Sequence, residues 1–333
     1  KTSNLCSEIT LPTGIDKDGR DRTAVCCLSS LNLEKYDEWK DDAMMINDVM
    51  RFLDNVLTDF IERAPDQFAD AKYSAARERS VGLGVMGFHS YLQKHSIPLE
   101  SVMSKVWNKK IFKHIQEHVD QASKDLADER GPCPDAAEYG FNERFSNKTA
   151  IAPTASISII CGGASPGVEP VAANSYTHKT LSGSFNVRNR YLVELLEKHG
   201  KNNEDVWSGI TTNQGSVSDL DFLTDHEKDV FKTAFELDQK WIIELSGDRT
   251  PHISQAQSIN LFLAADVHKK ELHKIHFDAW KKGLKSLYYC RSKSIQRAEN
   301  VNDEKSTDIL ANVYKQKPTA AKDPEYEECL SCQ

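Results

Sequence analysis

The sequence alternates long amphipathic segments with short runs of small, apolar or β-branched residues, and this alternation limits the folds open to it. Residues 41–64 predict a helix that ends at Pro65, because their apolar positions recur at helical spacing. These positions are Ile46, Val49, Met50, Leu53, Val56, Leu57 and Phe60. We predict further helices over 101–130, 187–199, 221–245 and 269–284. Short apolar runs separate them at 25–28, 149–152, 157–160 and 287–290, and the pattern indicates an α/β fold.

The end of the chain has a different composition. Residues 297–333 are polar, lack periodic apolar positions and contain Pro318 and Pro324. We predict one folded domain over 1–296 and a flexible tail over 297–333.

Composition excludes several classes of function. No apolar run approaches the roughly 20 residues that span a bilayer, and the first residues are too polar for a signal peptide. The net charge of −8 does not favour a nucleic-acid partner. Eight cysteines in a long, charged chain indicate a reducing cytoplasm, where thiols serve packing, metal binding or redox chemistry. Because the chain does not begin with Met, we expect it to be part of a longer polypeptide.

Asn4, Cys6 and Glu8 lie two residues apart near the start of the chain. In an extended segment such residues share a face, so an amide, a thiol and a carboxylate would converge. Taken alone, the pattern favours an ordinary strand with a buried cysteine and a solvated glutamate.

Gly82, Gly84 and Gly87 match the GxGxxG pattern of dinucleotide-binding folds. That pattern must follow a strand, because the turn sets the pyrophosphate at a helix N-terminus. The preceding residues "YSAARERS" are charged and do not read as a strand. We therefore predict glycine packing within or between helices, and keep a dinucleotide-dependent oxidoreductase as an alternative.

Three further segments carry potential chemistry. Cys329 and Cys332 form a CxxC pair in the predicted tail, which suits a mobile dithiol better than half of a zinc site. The small, hydroxylated run "APTASIS" at 152–158 could hold an anion with backbone N–H groups. Tyr288 and Tyr289 are adjacent, so their rings can stack only if the backbone departs from strand geometry.

Taken together, these segments resemble one family. The runs "SNLCSEITLPT", "AVCCLSSLNL", "RSVGLGVMGF", "APTASIS", "AQSINLF" and "GLKSLYYCRS", with the terminal CxxC, look like motifs found in this order in the large (alpha) subunit of class I ribonucleotide reductase. The resemblance runs from Ser3 to Cys332 and covers only the C-terminal half of that subunit. It implies half of a ten-stranded α/β barrel with a central finger loop.

The resemblance implies a role for each motif. Cys6 matches the cysteine that becomes a thiyl radical, Glu8 the base and Asn4 the amide that binds the substrate. Cys26 matches one of two reducing thiols, whose partner lies upstream of this chain, and Cys27 is read as packing. The substrate would be lined by Asn4, Leu5, Cys6, Ser7 and Glu8, and its diphosphate by Pro153, Thr154, Ala155, Ser156 and Ile157. The radical would pass through Tyr288 and Tyr289, and the active site would be re-reduced by Cys329 and Cys332.

The resemblance also implies partners. The substrate would be a ribonucleoside diphosphate, reduced to a deoxyribonucleotide for DNA synthesis. A separate small (beta) subunit would supply the radical from a metal or tyrosyl cofactor, so we expect no metal or cofactor on this chain. Thioredoxin or glutaredoxin would supply electrons, and the N-terminal half of the large subunit would carry the allosteric regions. We expect this chain to be inactive without that half; a non-catalytic interaction fragment is a further alternative.

Overall fold

The computed structural model describes residues 2–180 and 183–292, so the predicted tail with Cys329 and Cys332 lies outside the described residues. The helices are α1 Tyr36–Trp39, α2 Met45–Arg63, α3 Ala69–Glu78, α4 Phe88–Lys94, α5 Val102–Arg130, α6 Pro134–Ala137, α7 Ile157–Ile160, α8 Arg190–Lys198, α9 Glu204–Thr212, α10 Asp225–Val230, α11 Gln239–Arg249 and α12 Lys269–Lys281. The strands are β1 Thr2–Ser3, β2 Thr10–Leu11, β3 Gly14–Ile15, β4 Asp21–Arg22, β5 Leu28–Asn32, β6 Gly82–Met86, β7 Ser175–Thr180, β8 Gly183–Arg188, β9 Leu261–Leu263 and β10 Cys290–Ser292.

The helices with clear end signals form as the sequence predicts. Helix α5 begins after Ser101, whose side chain accepts a hydrogen bond from the Ser104 N–H, and ends before Gly131, which has a φ of +84°. Helix α2 ends before Pro65, and α12 fills most of 269–284. Within the part of the chain that the structure describes, no helix is both long and apolar enough to cross a membrane.

The predictions for three of the helical and apolar segments need correction. Residues 187–199 hold the end of β8 followed by α8, because the Asn189 side chain caps the helix only from Arg190 onward. Residues 221–245 hold two helices, α10 and the start of α11, because Thr224 and Asp238 each cap a new N-terminus. The apolar run 157–160 is the short helix α7 instead of a strand.

Parallel pairing of successive chain segments gives the fold its organisation. Strand β5 pairs with β6, and β6 is bridged at Leu83 to Thr149. Ile151 is bridged in turn to Gln257, and β9, a few residues further on, pairs with β10. Helices connect these segments, as parallel pairing requires. The series places five parallel segments side by side, which is the number that half of a ten-stranded barrel supplies, and the predicted α/β class is confirmed.

The core lies between this series and helices α2, α5 and α11. Helix α5 packs against both other helices and buries the apolar face that its sequence predicts. The buried face consists of Ile111, Phe112, Ile115, Val119, Ala122 and Leu126. Burying a side chain of this size stabilises the fold by about 1.5–3 kcal/mol, so the face holds the helix firmly behind the strands.

The glycines of the GxGxxG pattern lie in β6 and directly after it, which corrects the prediction of helix packing. Gly82 and Gly84 are inside a fully buried strand. A Cβ at Gly84 would stand 2.3 Å from the Ala150 carbonyl oxygen, so glycine permits this close backbone approach. The Gly87 N–H donates to Ser165 O (2.7 Å) and the Phe88 N–H to Gly167 O (3.4 Å). These contacts occupy the start of α4, so the geometry argues against a bound dinucleotide there.

We predict that Gly84→Val destabilises the chain by about 1–3 kcal/mol, because the added carbons must displace backbone atoms of the neighbouring segment. Urea unfolding followed by circular dichroism measures the change. Gly209→Ala is the matched control, since no atom lies within 4 Å of its Cβ position in α9. We expect the control to gain about 0.5–1 kcal/mol; equal effects of the two substitutions would contradict this packing argument.

Candidate active site

The NxCxE motif forms the loop of the hairpin made by β1 and β2. Strand pairing of Thr2 with Leu11 and Ser3 with Thr10 closes the hairpin. Within it the Asn4 N–H donates to Ile9 O (3.0 Å), the Ser7 N–H donates to Asn4 O (3.2 Å), and Ser7 has a φ of +66°. The motif is therefore a tight turn, and the predicted extended geometry is wrong. The turn nevertheless brings Asn4 and Glu8 together.

Hydrogen bonds hold both oxygens of the Glu8 carboxylate. Asn4 Nδ2 donates to Oε1 and Ser258 Oγ lies near Oε2, each at 2.8 Å. The Asn4 Oδ1 atom accepts from the Ile9 N–H at 3.1 Å, so the orientation of its amide is fixed. Glu8 is buried (1% exposed), and its neighbour Ser258 lies on the segment that precedes β9. The site therefore holds a positioned carboxylate that does not face bulk water, contrary to the reading of a solvated glutamate.

The hairpin is anchored on residues 255–258 of the parallel series. The Ala256 N–H donates to Glu8 O (2.8 Å), and the Gln255 side chain exchanges hydrogen bonds with the backbone of Thr10 (3.0 and 3.1 Å). Ser258 Oγ also lies 2.5 Å from Cys6 O. These contacts set the loop against the fourth segment of the parallel series, and the Cys6 side chain is completely buried.

The rings of Tyr288 and Tyr289 stack at a tilt, with centroids 4.1 Å apart and planes inclined by 39°. The Tyr288 N–H donates to Ile259 O (2.8 Å) and the Tyr289 N–H donates to Asn260 Oδ1 (3.0 Å). Successive N–H groups thus bond toward the same neighbouring segment, whereas in a regular strand they alternate. The backbone departs from strand geometry just before β10, as ring stacking requires.

The tyrosine pair connects the buried thiol with the surface. Tyr288 is half-buried and its hydroxyl hydrogen-bonds the side chains of both Cys6 and Tyr289. Burial, reinforced by these two hydrogen bonds, raises the pKa of Tyr288 well above its ordinary value of 10, so the phenol stays protonated. Tyr289 is 51% exposed. Ser7 Oγ donates to Leu287 O (2.9 Å), which ties the hairpin loop to the residue before the pair.

The cysteine pair at 26 and 27 lies directly before β5. Cys26 is exposed, whereas burial raises the pKa of Cys27 to about 11. An exposed thiol suits exchange chemistry and a buried, protonated thiol suits packing. The two thiols thus differ in exposure, with Cys26 exposed and Cys27 partly buried. None of the six cysteines in the described ranges forms a disulfide.

A hydrogen bond from the backbone of Gly167 stabilises the loop 153–157. The Gly167 N–H donates to Thr154 Oγ1 (2.7 Å), and Thr154 has a φ of +54°. The loop leads into α7, while Ser156 and Ile157 face solvent. A pocket of about 510 Å³ borders Ala155 and Ser158, and another of about 590 Å³ lies near Glu78, but Cys6 lines neither of them.

Sequence reasoning assigned no role to Gln255, Ser258, Asn260 and Glu169. Ser258 and Asn260 belong to "AQSINLF", and Gln255 directly precedes it; here polar residues interrupt an apolar run that leads into β9. These polar residues could have indicated a functional segment from the sequence. Polar side chains in a buried strand are hydrogen-bonded, so each of them requires a partner. Within the described residues, no group of three or more His, Cys, Asp or Glu side chains is arranged to hold a metal ion.

Comparison with known proteins places this geometry in a family. The family model described as ribonucleotide reductase, barrel domain, matches residues 1–143 and 135–290. The ribonucleoside-diphosphate reductase large subunit of Invertebrate iridescent virus 6 is 51% identical over 301 residues, which are 89% of this chain and 31% of that protein. A putative large subunit from Frog virus 3 is 41% identical over 335 residues, 99% of this chain and 55% of that protein.

A solved structure agrees with the sequence relatives. The class Id ribonucleotide reductase alpha subunit of Actinobacillus ureae aligns with a TM-score of 0.80 and 38% identity, over 90% of this chain and 54% of that one. The chain thus spans between about a third and just over half of the length of these relatives. With the matched family model extending over most of the described residues, the chain belongs to the ribonucleotide reductase barrel-domain family.

Proposed function

We propose that this chain supplies the radical cysteine, the base and the tyrosine relay of a class I ribonucleoside-diphosphate reductase. The observation that carries the proposal is the contact series in which half-exposed Tyr289 stacks on Tyr288, and Tyr288 hydrogen-bonds the buried thiol of Cys6. A phenol loses an electron readily only when its proton can move at the same time. The hydrogen bonds along this series provide a partner for each such proton transfer.

The buried thiol and carboxylate divide the first chemical step between them. Oxidation passes from Tyr289 to Tyr288 and then takes the hydrogen atom of Cys6, which leaves a thiyl radical. The thiyl removes the hydrogen at C3′ of the ribose, and Glu8 accepts the 3′-hydroxyl proton. Burial of both residues excludes water from the radical and from the reacting carbon.

Two further thiols carry the reduction. The 2′-hydroxyl leaves as water while Cys26 and a cysteine of the N-terminal half are oxidised to a disulfide. Cys6 then returns a hydrogen atom to C3′, so one ribonucleotide and one dithiol give one deoxyribonucleotide, one disulfide and water. We assign re-reduction to Cys329 and Cys332, which take electrons from thioredoxin or glutaredoxin by thiol–disulfide exchange.

We assign the substrate diphosphate to residues 153–157. The loop ends at the start of α7, where the Ser158 N–H donates to Thr154 O (3.0 Å) and the Ile159 N–H donates to Ser156 O (3.2 Å), so the loop is an ordered turn. The hydroxyl-bearing side chain of Ser156, the residue directly before α7, is exposed to solvent. A hydroxyl group on such a turn can donate to a phosphate oxygen, which requires no metal ion.

The proposed activity needs other chains. Among the described residues the outer edges of β5 and β10 pair with no further strand, which fits completion of the barrel by an N-terminal half. A small subunit supplies the radical, as the tyrosine relay implies. The similar alpha subunit of Actinobacillus ureae is a class Id reductase, which supports the class assignment. We place the reaction in the cytoplasm, where thiols remain reduced.

Reconstitution tests the proposal. We expect Lys1–Gln333 to reduce no ribonucleoside diphosphate when supplied only with a small subunit and dithiol, and to do so after addition of an N-terminal half. Tyr288→Phe is expected to lower turnover by about 10³-fold or more, equal to about 4 kcal/mol, because its ring has no hydroxyl proton to transfer. Turnover by this chain without an N-terminal half would contradict the split-site proposal.

Tyr91→Phe is the matched control for the phenol. Tyr91 is a buried tyrosine of α4 that packs against Tyr36 and Trp107, distant in sequence from the tyrosine pair. We expect the control to retain turnover. Turnover unaffected by either substitution would show that the chain acts in the complex as a non-catalytic interaction fragment.

A further inference from the structure

We infer that Asn260, oriented by the buried carboxylate of Glu169, is the positioning residue that makes the two tyrosine rings stack. The inference deepens the proposed function and rests on it for the relay, although the geometry it describes can be tested separately. Asn260 lies between Ile259, which pairs with Tyr288, and Leu261, which opens β9. Its side chain is 2% exposed.

The amide of Asn260 replaces a backbone acceptor that the sheet does not supply. Ile259 O accepts the Tyr288 N–H (2.8 Å), and Leu261 N donates to Tyr289 O (2.8 Å). In regular strand pairing the Tyr289 N–H would point away from the segment that contains Ile259 and Leu261. Here it turns back and donates to Asn260 Oδ1 at 3.0 Å. This hydrogen bond holds the backbone departure that places both rings on the same side.

Glu169 decides which end of the amide faces Tyr289. Asn260 Nδ2 donates to Glu169 Oε1 at 2.6 Å, and both side chains are more than nine-tenths buried. An ionised carboxylate can only accept, so the amide nitrogen must face it and the amide oxygen must face the Tyr289 N–H. Burial raises the pKa of Glu169 to about 7, partly offset by Arg291 and by the Asn260 hydrogen bond. Measurements at pH 8 therefore keep the carboxylate ionised.

Loss of the hydrogen bond between the Tyr289 N–H and Asn260 Oδ1 would disturb the tyrosine pair that relays the radical. Without Oδ1 the Tyr289 N–H is left without its acceptor, and regular pairing with residues 259–263 becomes the alternative. Regular pairing sends adjacent side chains to opposite faces. The ring of Tyr289 then leaves Tyr288, and a displacement of about 1 Å in a reacting pair can lower a rate about 10²-fold.

Two readouts at pH 8 test the inference. The complete chain is labelled with 3-fluorotyrosine, and Tyr288→Phe and Tyr289→Phe assign the two ¹⁹F resonances. We expect Asn260→Ala to shift both resonances, and to lower kcat of the complex with the N-terminal half and small subunit by about 10²-fold. KM for the nucleoside diphosphate should stay within about two-fold, because the hydrogen bonds of the Asn260 side chain go to Glu169 and to the Tyr289 N–H. Asn108→Ala, which removes a buried asparagine from α5, should shift neither resonance.

An exchange of the two polar groups tests the orientation. Asn260→Asp alone sets two carboxylates against each other and should be as harmful as Asn260→Ala. Combined with Glu169→Gln it restores one donor and one acceptor between the same side chains, and still offers an oxygen to the Tyr289 N–H. We expect the double variant to regain the parent resonances and a kcat within about ten-fold of the parent.

The outcomes separate this inference from the proposed function. Unchanged resonances and kcat in Asn260→Ala would overturn the positioning role, and a double variant that fails to recover would overturn the role of Glu169. If Asn260→Ala does not fold, the single and double exchange variants decide the same question. An inactive parent complex, or full turnover by Tyr288→Phe, would refute the proposed function, while the ¹⁹F shifts would still decide whether Asn260 sets the stack.

Discussion

Replacing Cys6 by serine is expected to abolish nucleotide reduction by the reconstituted complex, with turnover lowered by about 10⁴-fold or more, equal to about 5.5 kcal/mol. The serine O–H bond is much stronger than the cysteine S–H bond, so Tyr288 cannot withdraw a hydrogen atom from it. The substitution is nearly isosteric at a fully buried position, and the hairpin contacts through Asn4, Glu8 and Ser258 remain. Quantifying deoxyribonucleoside diphosphate formed per complex measures the effect.

Cys133→Ser is the matched control, because Cys133 is also completely buried but precedes α6, remote in sequence from the tyrosine pair. We expect this variant to turn over at nearly the parental rate. Product formation by Cys6→Ser at the rate of the control would show that the thiol of Cys6 takes no part in the chemistry.

The largest expected loss of stability comes from Asp54→Asn. Asp54 is completely buried in α2, and its carboxylate accepts hydrogen bonds from Arg79 (2.8 Å), Arg144 (2.9 Å) and Arg130 (2.8 Å). Removing the negative charge leaves arginines at the ends of α3 and α5 without their common partner. We expect a loss of about 3–5 kcal/mol in the free energy of unfolding, measured by urea titration at pH 7.

The pH dependence of this loss of stability follows from the direction in which folding shifts the pKa of Asp54. Burial acts to raise the pKa of Asp54, but hydrogen bonds from the arginines, with Arg144 the strongest, hold it below the ordinary value of 3.8. The stabilisation is therefore complete above about pH 4 and declines as the pH falls through the lower pKa of the folded state. The difference in the free energy of unfolding between the parent and Asp54→Asn should become smaller in acid.

Asp59→Asn on the same helix is the control. Its partner is Arg63 at 2.9 Å, and both side chains are more than half exposed. Solvent screens such a pair, so we expect a change of less than about 0.5 kcal/mol. Equal losses at Asp54 and Asp59 would contradict the view that the buried cluster of arginines ties these helices together.

Features encoded by neighbouring residues could be read from the sequence. Helix α5 follows from its periodic apolar face together with Ser101 and Gly131 at its ends. The adjacency of Tyr288 and Tyr289 required that their rings stack only if the backbone leaves strand geometry, as it does. The convergence of Asn4 and Glu8 was predicted for an extended segment, whereas a turn produces it. In each case the residues that carry the information lie within one turn, one helix or one strand.

Features that depend on distant residues could not be read in this way. The turn at Ser7 is stabilised by contacts with residues 255–258, and the orientation of Asn260 depends on Glu169, which lies 91 residues earlier. Strand β6 was missed because buried parallel strands do not alternate, and its glycines suit a close approach to Ala150 that only the fold creates. The proposed roles of the candidate site residues therefore come from motif resemblance and not from local physics.

The most direct test is a structure of the complete complex with a bound ribonucleoside diphosphate. Our account predicts that Cys6 Sγ contacts the ribose C3′ within about 4 Å, and that Glu8 lies within about 3 Å of the 3′-hydroxyl. The diphosphate should lie against residues 153–157. A ribose bound elsewhere, with Cys6 packed only against protein and Tyr288, would contradict the account.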